Sequence, residues 1–228
     1  MNKVLEIQFA GWTATPRMPF IISGGPKGGS VCMPTPSYSI LLGIMGCCLG
    51  RVATAKEVSL GFKYSFDSVA KDMERRNRLE NKLGKIKNHS DGANPYLMEF
   101  HVSPKLTLWI DRLDWEDYFL NPVGTPSLGR SQDILKVEGV RVIDVESIGE
   151  ASISGCMLPF HPSLQVGGQL VQLAEAYQED EEIGGGRTAT NTGVFIAISP
   201  DNYQVVKMDS LYRTREEKAT SFYFHQFT

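Results

Sequence analysis

The chain has 228 residues, a net charge of −3, 42% hydrophobic and 21% charged residues, which is an ordinary soluble globular composition able to bury a sizeable core. A balance this close to neutral argues against a molecule whose whole surface attracts polyanions. No apolar run has transmembrane or signal-peptide character, and the four cysteines (Cys32, Cys47, Cys48, Cys156) form no C-x-x-C pair. The expectation is a reduced, cytoplasmic protein without a membrane contact.

Val4 to Phe9 alternates, with Leu5, Ile7 and Phe9 on one face and Glu6 and Gln8 on the other, as a half-buried strand does. Gly11 to Ser30 is a long loop rich in proline and glycine that carries Arg17 and Lys27. Pro34 and Pro36 then lead into a helix with Ser37 at its N-cap. From Ile40 to Leu49 every residue is apolar, glycine or cysteine, so this helix is expected to be buried on all sides. Gly43, Gly46, Cys47 and Gly50 share one narrow face. Glycine costs about 1 kcal/mol per helix-interior site, so something is expected to press close there, most simply the backbone of a sheet. Tyr38 stands at the entrance of the helix and Arg51 just past its exit.

Val58 to Phe66 reads as the next strand. Lys63 to Ser90 carries eight Lys/Arg against four acidic residues and few large apolar ones, so it must project as a basic hairpin or helical finger. Arg75, Arg76 and Arg78 are its densest cations. Tyr96 to Val102 and Leu106 to Ile110 follow as strands, Asp111 to Leu120 as a short helix, and Val123 to Ser131 as a glycine-containing loop bearing Arg130. Ile134 to Glu146 is another strand.

Strand, helix, strand, insertion, strand, helix, strand is the order of a ferredoxin-like (RRM-like) βαββαβ core, an α+β fold. It would occupy residues 1–146, with the basic insertion at about 67–95. Two helices on one face of a four-stranded sheet would leave the other face open to a ligand. Residues 147–228 would form a small β-rich region with strands at Gln169–Tyr177, Val194–Ser199, Tyr203–Met208 and Ser221–Phe227. An acidic turn from Glu175 to Glu182 precedes Gly184-Gly185-Gly186-Arg187, whose Arg187 is a further candidate for phosphate.

No nucleotide loop, nucleophile elbow or zinc motif is present, and His89, His101, His161 and His225 lack metal-ligand spacing. No metal, cofactor or catalytic residue is therefore expected. Arginines, lysines and aromatic residues near glycine loops suit backbone contacts and base stacking.

Three stretches carry a family resemblance: PTPSYSILLGIMGCCLGR at 34–51, MEFHVSPKLTLWI at 98–110 and NPVGTPSLGRSQDIL at 121–135. Together they resemble the CRISPR-associated protein 5 family, a subunit of type I Cascade complexes, over most of residues 3–146. The resemblance implies a ferredoxin-like core whose inserted thumb touches the backbone subunit of the complex. It further implies that the chain holds the 5′ handle of the crRNA, neighbours the large subunit, and meets target DNA near the PAM. Arg51, Lys105, Gly129, Arg130 and Ser131 lie in the matching motifs, and Tyr38 at the matching helix entrance. One subtype of the family cuts precursor RNA with a tyrosine, a lysine and a histidine. Tyr38 and Lys105 stand for the first two, but Leu106 replaces the histidine and His101 lies four residues before Lys105. The expectation is thus a non-catalytic RNA-binding subunit, against two alternatives: a metal-independent endoribonuclease that processes crRNA, and a small-molecule-binding ferredoxin-like protein.

Overall fold

In β1 (Lys3–Gly11) the period-two alternation sends Leu5, Ile7 and Phe9 into the main core, but Val4 and Glu6 on the opposite face are buried as well. The reason lies in how the sheet closes. The computed structural model describes residues 2–18, 29–180 and 186–227. After β1 come two short pairings, β2 (Thr13–Ala14) and β3 (Gly29–Ser30), then helix α1 (Tyr38–Leu49) and β4 (Leu60–Ser65). The hairpin β5 (Ser68–Lys82) and β6 (Lys85–Val102) leads to β7 (Lys105–Ile110). A 3-10 turn, Leu113–Trp115, runs into α2 (Glu116–Leu120), followed by β8 (Leu135–Ile153) and β9 (Cys156–Pro159). The chain ends with β10 (Gln169–Asp180), β11 (Gly186–Ile198), β12 (Gln204–Thr214) and β13 (Ser221–His225).

The result is a mixed α+β architecture of mostly antiparallel strands. β8, β1, β7 and β4 lie side by side in that order, with α1 joining β1 to β4 and α2 joining β7 to β8. The expected open face of this sheet is not there. β13 pairs with β4, and β12 pairs with both β13 and β8, closing a six-stranded barrel. On the inward face Trp109 of β7 stacks on Phe222 of β13 at 4.1 Å, packed with Val4, Ile143, Val145 and Phe224. Gly61 is the residue that lets the rings in: a Cβ there would stand 2.5 Å from the Phe222 ring. Glu6 shares this face because Trp109 Nε1 donates to it at 2.8 Å and Arg141 Nη2 at 2.6 Å. A buried carboxylate with two such donors is compensated.

The expected boundary after residue 146 falls inside β8, which runs on to Ile153 and pairs there with β12. Among the described residues of the last third, β9, β10 and β11 form a separate sheet, in the order β10-β11-β9. The basic insertion is the β5–β6 hairpin. Leu83 and Gly84 at its tip have φ of 52° and 78°, as a two-residue hairpin turn demands. The strand expected at Tyr96–Val102 is the end of β6, not an element of its own. No helix among the described residues is long and apolar enough to cross a membrane.

Candidate functional site

Ser37 caps α1 as expected, accepting from the Ile40 N–H at 3.4 Å, and Gly50 closes it in the left-handed region at φ 70°. Leu41, Leu42, Ile44, Met45, Cys48 and Leu49 bury three sides of the helix against β1, β7, β4 and the β10–β11 ribbon. The fourth side is not buried. Its glycines have two different causes. At Gly46 the chain itself returns, so a Cβ would stand 2.9 Å from the Arg51 carbonyl oxygen and 3.2 Å from the Ala53 nitrogen. At Gly43 a Cβ would meet none of the described residues within 4 Å. The expected sheet backbone is absent from this face, which instead floors a groove.

Three adjoining clefts, of about 460, 530 and 370 Å³, run along it. Gly43 and Cys47 lie beneath two of them, and Ser39 and Tyr177 border all three. Arg187 of β11 faces α1 from the ribbon, Arg51 and Val52 stand at one end, and Thr15, Arg17, Ser127 and Gly129 flank the other. Among the described residues lining the three clefts, the charged ones are Arg17, Arg51 and Arg187, and none is acidic. This is a local excess of cations on a chain whose net charge is −3. Arg51 also meets Glu57 at 2.9 Å just outside the clefts, and that hydrogen bond lowers the Glu57 carboxyl to about 2. An open helix backbone flanked by guanidinium groups suits an elongated anion that must come closer than a side chain would allow.

Of the twelve candidate residues, Arg17, Arg51 and Arg187 therefore line one groove, with Gly129 at its rim. Gly129 has φ 112° and a Cβ there would press on Thr15, so its glycine is set by the backbone. Ser131 and Lys105 are exposed, on the following loop and at the start of β7. Arg75 and Arg78 are exposed on β5; the Arg76 side chain and Lys27 lie outside the described residues. Tyr177, Ser39, Thr15 and Ser127 were not among the candidates; Tyr177 carried no signal beyond the end of a strand.

Two candidates are corrected. Tyr38 does not offer its ring for stacking on a base. It is 2% exposed, its ring stacks on His225 at 4.0 Å, and its hydroxyl donates to the Met157 carbonyl at 2.5 Å. Burial pushes its phenol well above the ordinary pKa. Arg130, expected to hold an RNA phosphate, is engaged inside the protein. Its Nη1 meets Glu74 of β5 at 2.6 Å, and its Nε and Nη2 donate to Asp133 at 3.1 and 3.0 Å. Asp133 is fully buried and also accepts from the Thr13 hydroxyl at 2.7 Å and the Thr15 hydroxyl. Burial opposes the Asp133 charge, yet these hydrogen bonds outweigh it and hold the carboxyl below its ordinary range.

The residues named for RNA cutting each sit in different surroundings. His101 is 2% exposed, lies 2.8 Å from the Tyr64 hydroxyl and stacks on Phe66 at 3.7 Å. Burial lowers its pKa to about 4. Tyr38 sits among β9, β11 and β13 residues, while Lys105 faces solvent.

No protein-family model matches the chain, and no curated protein does. Solved structures do match. One is a chain of a CRISPR RNA-guided surveillance complex, 12% identical, with a TM-score of 0.56 over 91% of both chains. Another is a CRISPR protein from Archaeoglobus fulgidus, 10% identical, with a TM-score of 0.53 over 99% of this chain and 100% of that one. A third is a chain of the type III-B Cmr-beta complex bound to cognate target RNA, 9% identical, TM-score 0.51, covering 90% and 86%. At these identities the likeness is one of fold.

Two tests follow from the geometry. Gly43→Ala should raise stability by up to about 1 kcal/mol, the helix-propensity gain at an open site, whereas Gly46→Ala should lower it because its Cβ meets backbone. Urea titration of the two variants checks this. Arg130→Ala should lower stability by about 3 kcal/mol, the cost expected when a buried carboxylate is left without its cation. In the wild type the depressed Asp133 pKa contributes stability at every pH above the unfolded value of about 3.9, and that contribution is lost as pH falls through the folded value. Melting curves at neutral and acid pH read both effects.

Proposed function

We propose that this chain is a subunit of a CRISPR RNA-guided effector complex and holds the 5′ handle of the crRNA in the α1 groove without cutting it. The observation that carries the reading is the groove itself: Gly43 open beneath Arg17, Arg51 and Arg187, with no described acidic residue lining it. An RNA strand supplies what the groove fits, a flexible chain of phosphates with faces that stack on an exposed ring such as Tyr177. The fold shared with CRISPR proteins makes RNA the natural anion. On this reading the β8-β1-β7-β4 order with its two crossover helices is the ferredoxin-like core of the CRISPR-associated protein 5 family. The β5–β6 hairpin is then its thumb, reaching the backbone subunit of a type I Cascade, with the large subunit and target DNA near the PAM as further neighbours. The different surroundings of Tyr38, Lys105 and His101 support a role without catalysis, since 2′-OH attack needs a base and an acid positioned on one phosphate.

The purified chain, incubated with repeat RNA without metal, should bind it and leave it intact. Arg17→Glu with Arg187→Glu should weaken binding and flatten the slope of log affinity against log salt by about 0.7 for each phosphate that is no longer neutralised. Specific cleavage of the repeat, or unchanged affinity in the double variant, would contradict the proposal.

A further inference from the structure

The Trp12 ring is not buried in the fold and does not line the groove. It is 90% exposed, whereas Trp109 and Trp115 are 1% and 2% exposed. An indole is among the largest apolar surfaces a protein can bury, and the fold leaves this one in water. Its backbone is nonetheless fixed. The Trp12 carbonyl accepts from the Ser103 N–H at 2.9 Å, and the preceding Gly11 N–H donates to the Pro104 carbonyl at 3.0 Å. Gly11 is pressed so closely that a Cβ would stand 2.9 Å from the Ile134 carbonyl oxygen. Thr13, on the other side, pairs with Val102 and donates its hydroxyl to the buried Asp133. The ring is thus displayed from a rigid corner between β1 and β2.

Two lysines lie on the strands beside its backbone. Ala10, two residues earlier, has Lys105 of β7 and Lys136 of β8 as its direct partners on either side. Both lysines are exposed, and Lys136 meets Glu138 at 3.5 Å. Lysine is depleted from the cores of protein–protein interfaces, where an exposed tryptophan would otherwise be a natural anchor. An exposed aromatic ring with lysines on the neighbouring strands is instead the arrangement that takes single-stranded nucleic acid, with a base on the ring and phosphates on the ammonium groups.

We propose that Trp12, Lys105 and Lys136 form a second contact for single-stranded nucleic acid, separate from the α1 groove. The contact reads a base face and a phosphodiester, chemistry that a guide RNA and a displaced DNA strand both present. It does not depend on what the groove binds.

Trp12 is the exposed one of three tryptophans, so intrinsic fluorescence reports on it directly. The full-length chain is titrated with oligouridylate and oligothymidylate of about eight nucleotides. The red-edge emission should be quenched. Trp12→Ala should abolish the quench and weaken binding about five-fold or more, while Trp12→Phe keeps most of the affinity. Lys105→Glu and Lys136→Glu should each flatten the salt slope by about 0.7. In the Arg17→Glu, Arg187→Glu background the quench should persist, which separates this contact from the groove. Quenching by RNA alone supports the contact with the guide as its source, and quenching by DNA alone supports it with a DNA strand. Unchanged Trp12 emission at saturating oligonucleotide overturns it, as does unchanged affinity in Trp12→Ala. Absence of a protein partner from nuclease-treated Trp12→Ala preparations, with oligonucleotide affinity intact, also overturns it and assigns the ring to a protein interface.

Discussion

The ring of Tyr38 ties four strands to one helix. It is the first residue of α1, stacks on His225 of β13, makes edge contacts with Phe62 of β4 and Phe195 of β11, and bonds the Met157 carbonyl of β9. His225 in turn lies 3.3 Å from Glu175 of β10, with burial lowering its pKa to about 4. Deleting a buried aromatic costs about 3–5 kcal/mol, a large share of the ~5–15 kcal/mol that a domain has in total. The barrel, the β10–β11 ribbon and α1 are held in one arrangement through this contact.

That arrangement creates the groove. Because α1 is anchored at Tyr38 and buried on three sides, its glycine side is held in a fixed position facing Tyr177 and Arg187 across open space. Gly46 serves the return of the chain and Gly43 serves the opening, so one repeated residue type answers two constraints. The cations come from parts of the chain distant in sequence. Arg17 is placed by its bridge to Cys32, Arg51 follows the helix cap, and Arg187 comes from the ribbon.

Much of this was legible in the sequence. Period-two alternation located β1 and β4, and Ser37 marked the start of α1, because local patterns carry that information; Gly50, counted with the glycine face, is instead the left-handed C-cap. Barrel closure was not legible, since it depends on β13 finding β4, a pairing with no local signature. The continuation of β8 past residue 146 was hidden by its charged residues, Glu146 and Glu150. Tyr38 and Arg130 were noticed for what their side chains can do, and the structure uses both inside the protein. Asp133, three residues after Arg130, was the sign that its guanidinium had a partner. A helix apolar in composition was read as buried on every side, yet glycine is compatible with a buried face and with an open one alike.

Photocrosslinking would show whether a guide RNA strand lies along the glycine side of α1, as proposed. Repeat RNA with 4-thiouridine placed through its handle would be irradiated on the purified chain, and the attached peptides mapped by mass spectrometry. Crosslinks are predicted on peptides carrying Thr15 to Arg17, Ser39 to Cys47, and Tyr177 or Arg187. Crosslinks confined to the β5–β6 hairpin, with none on these peptides, would contradict the account.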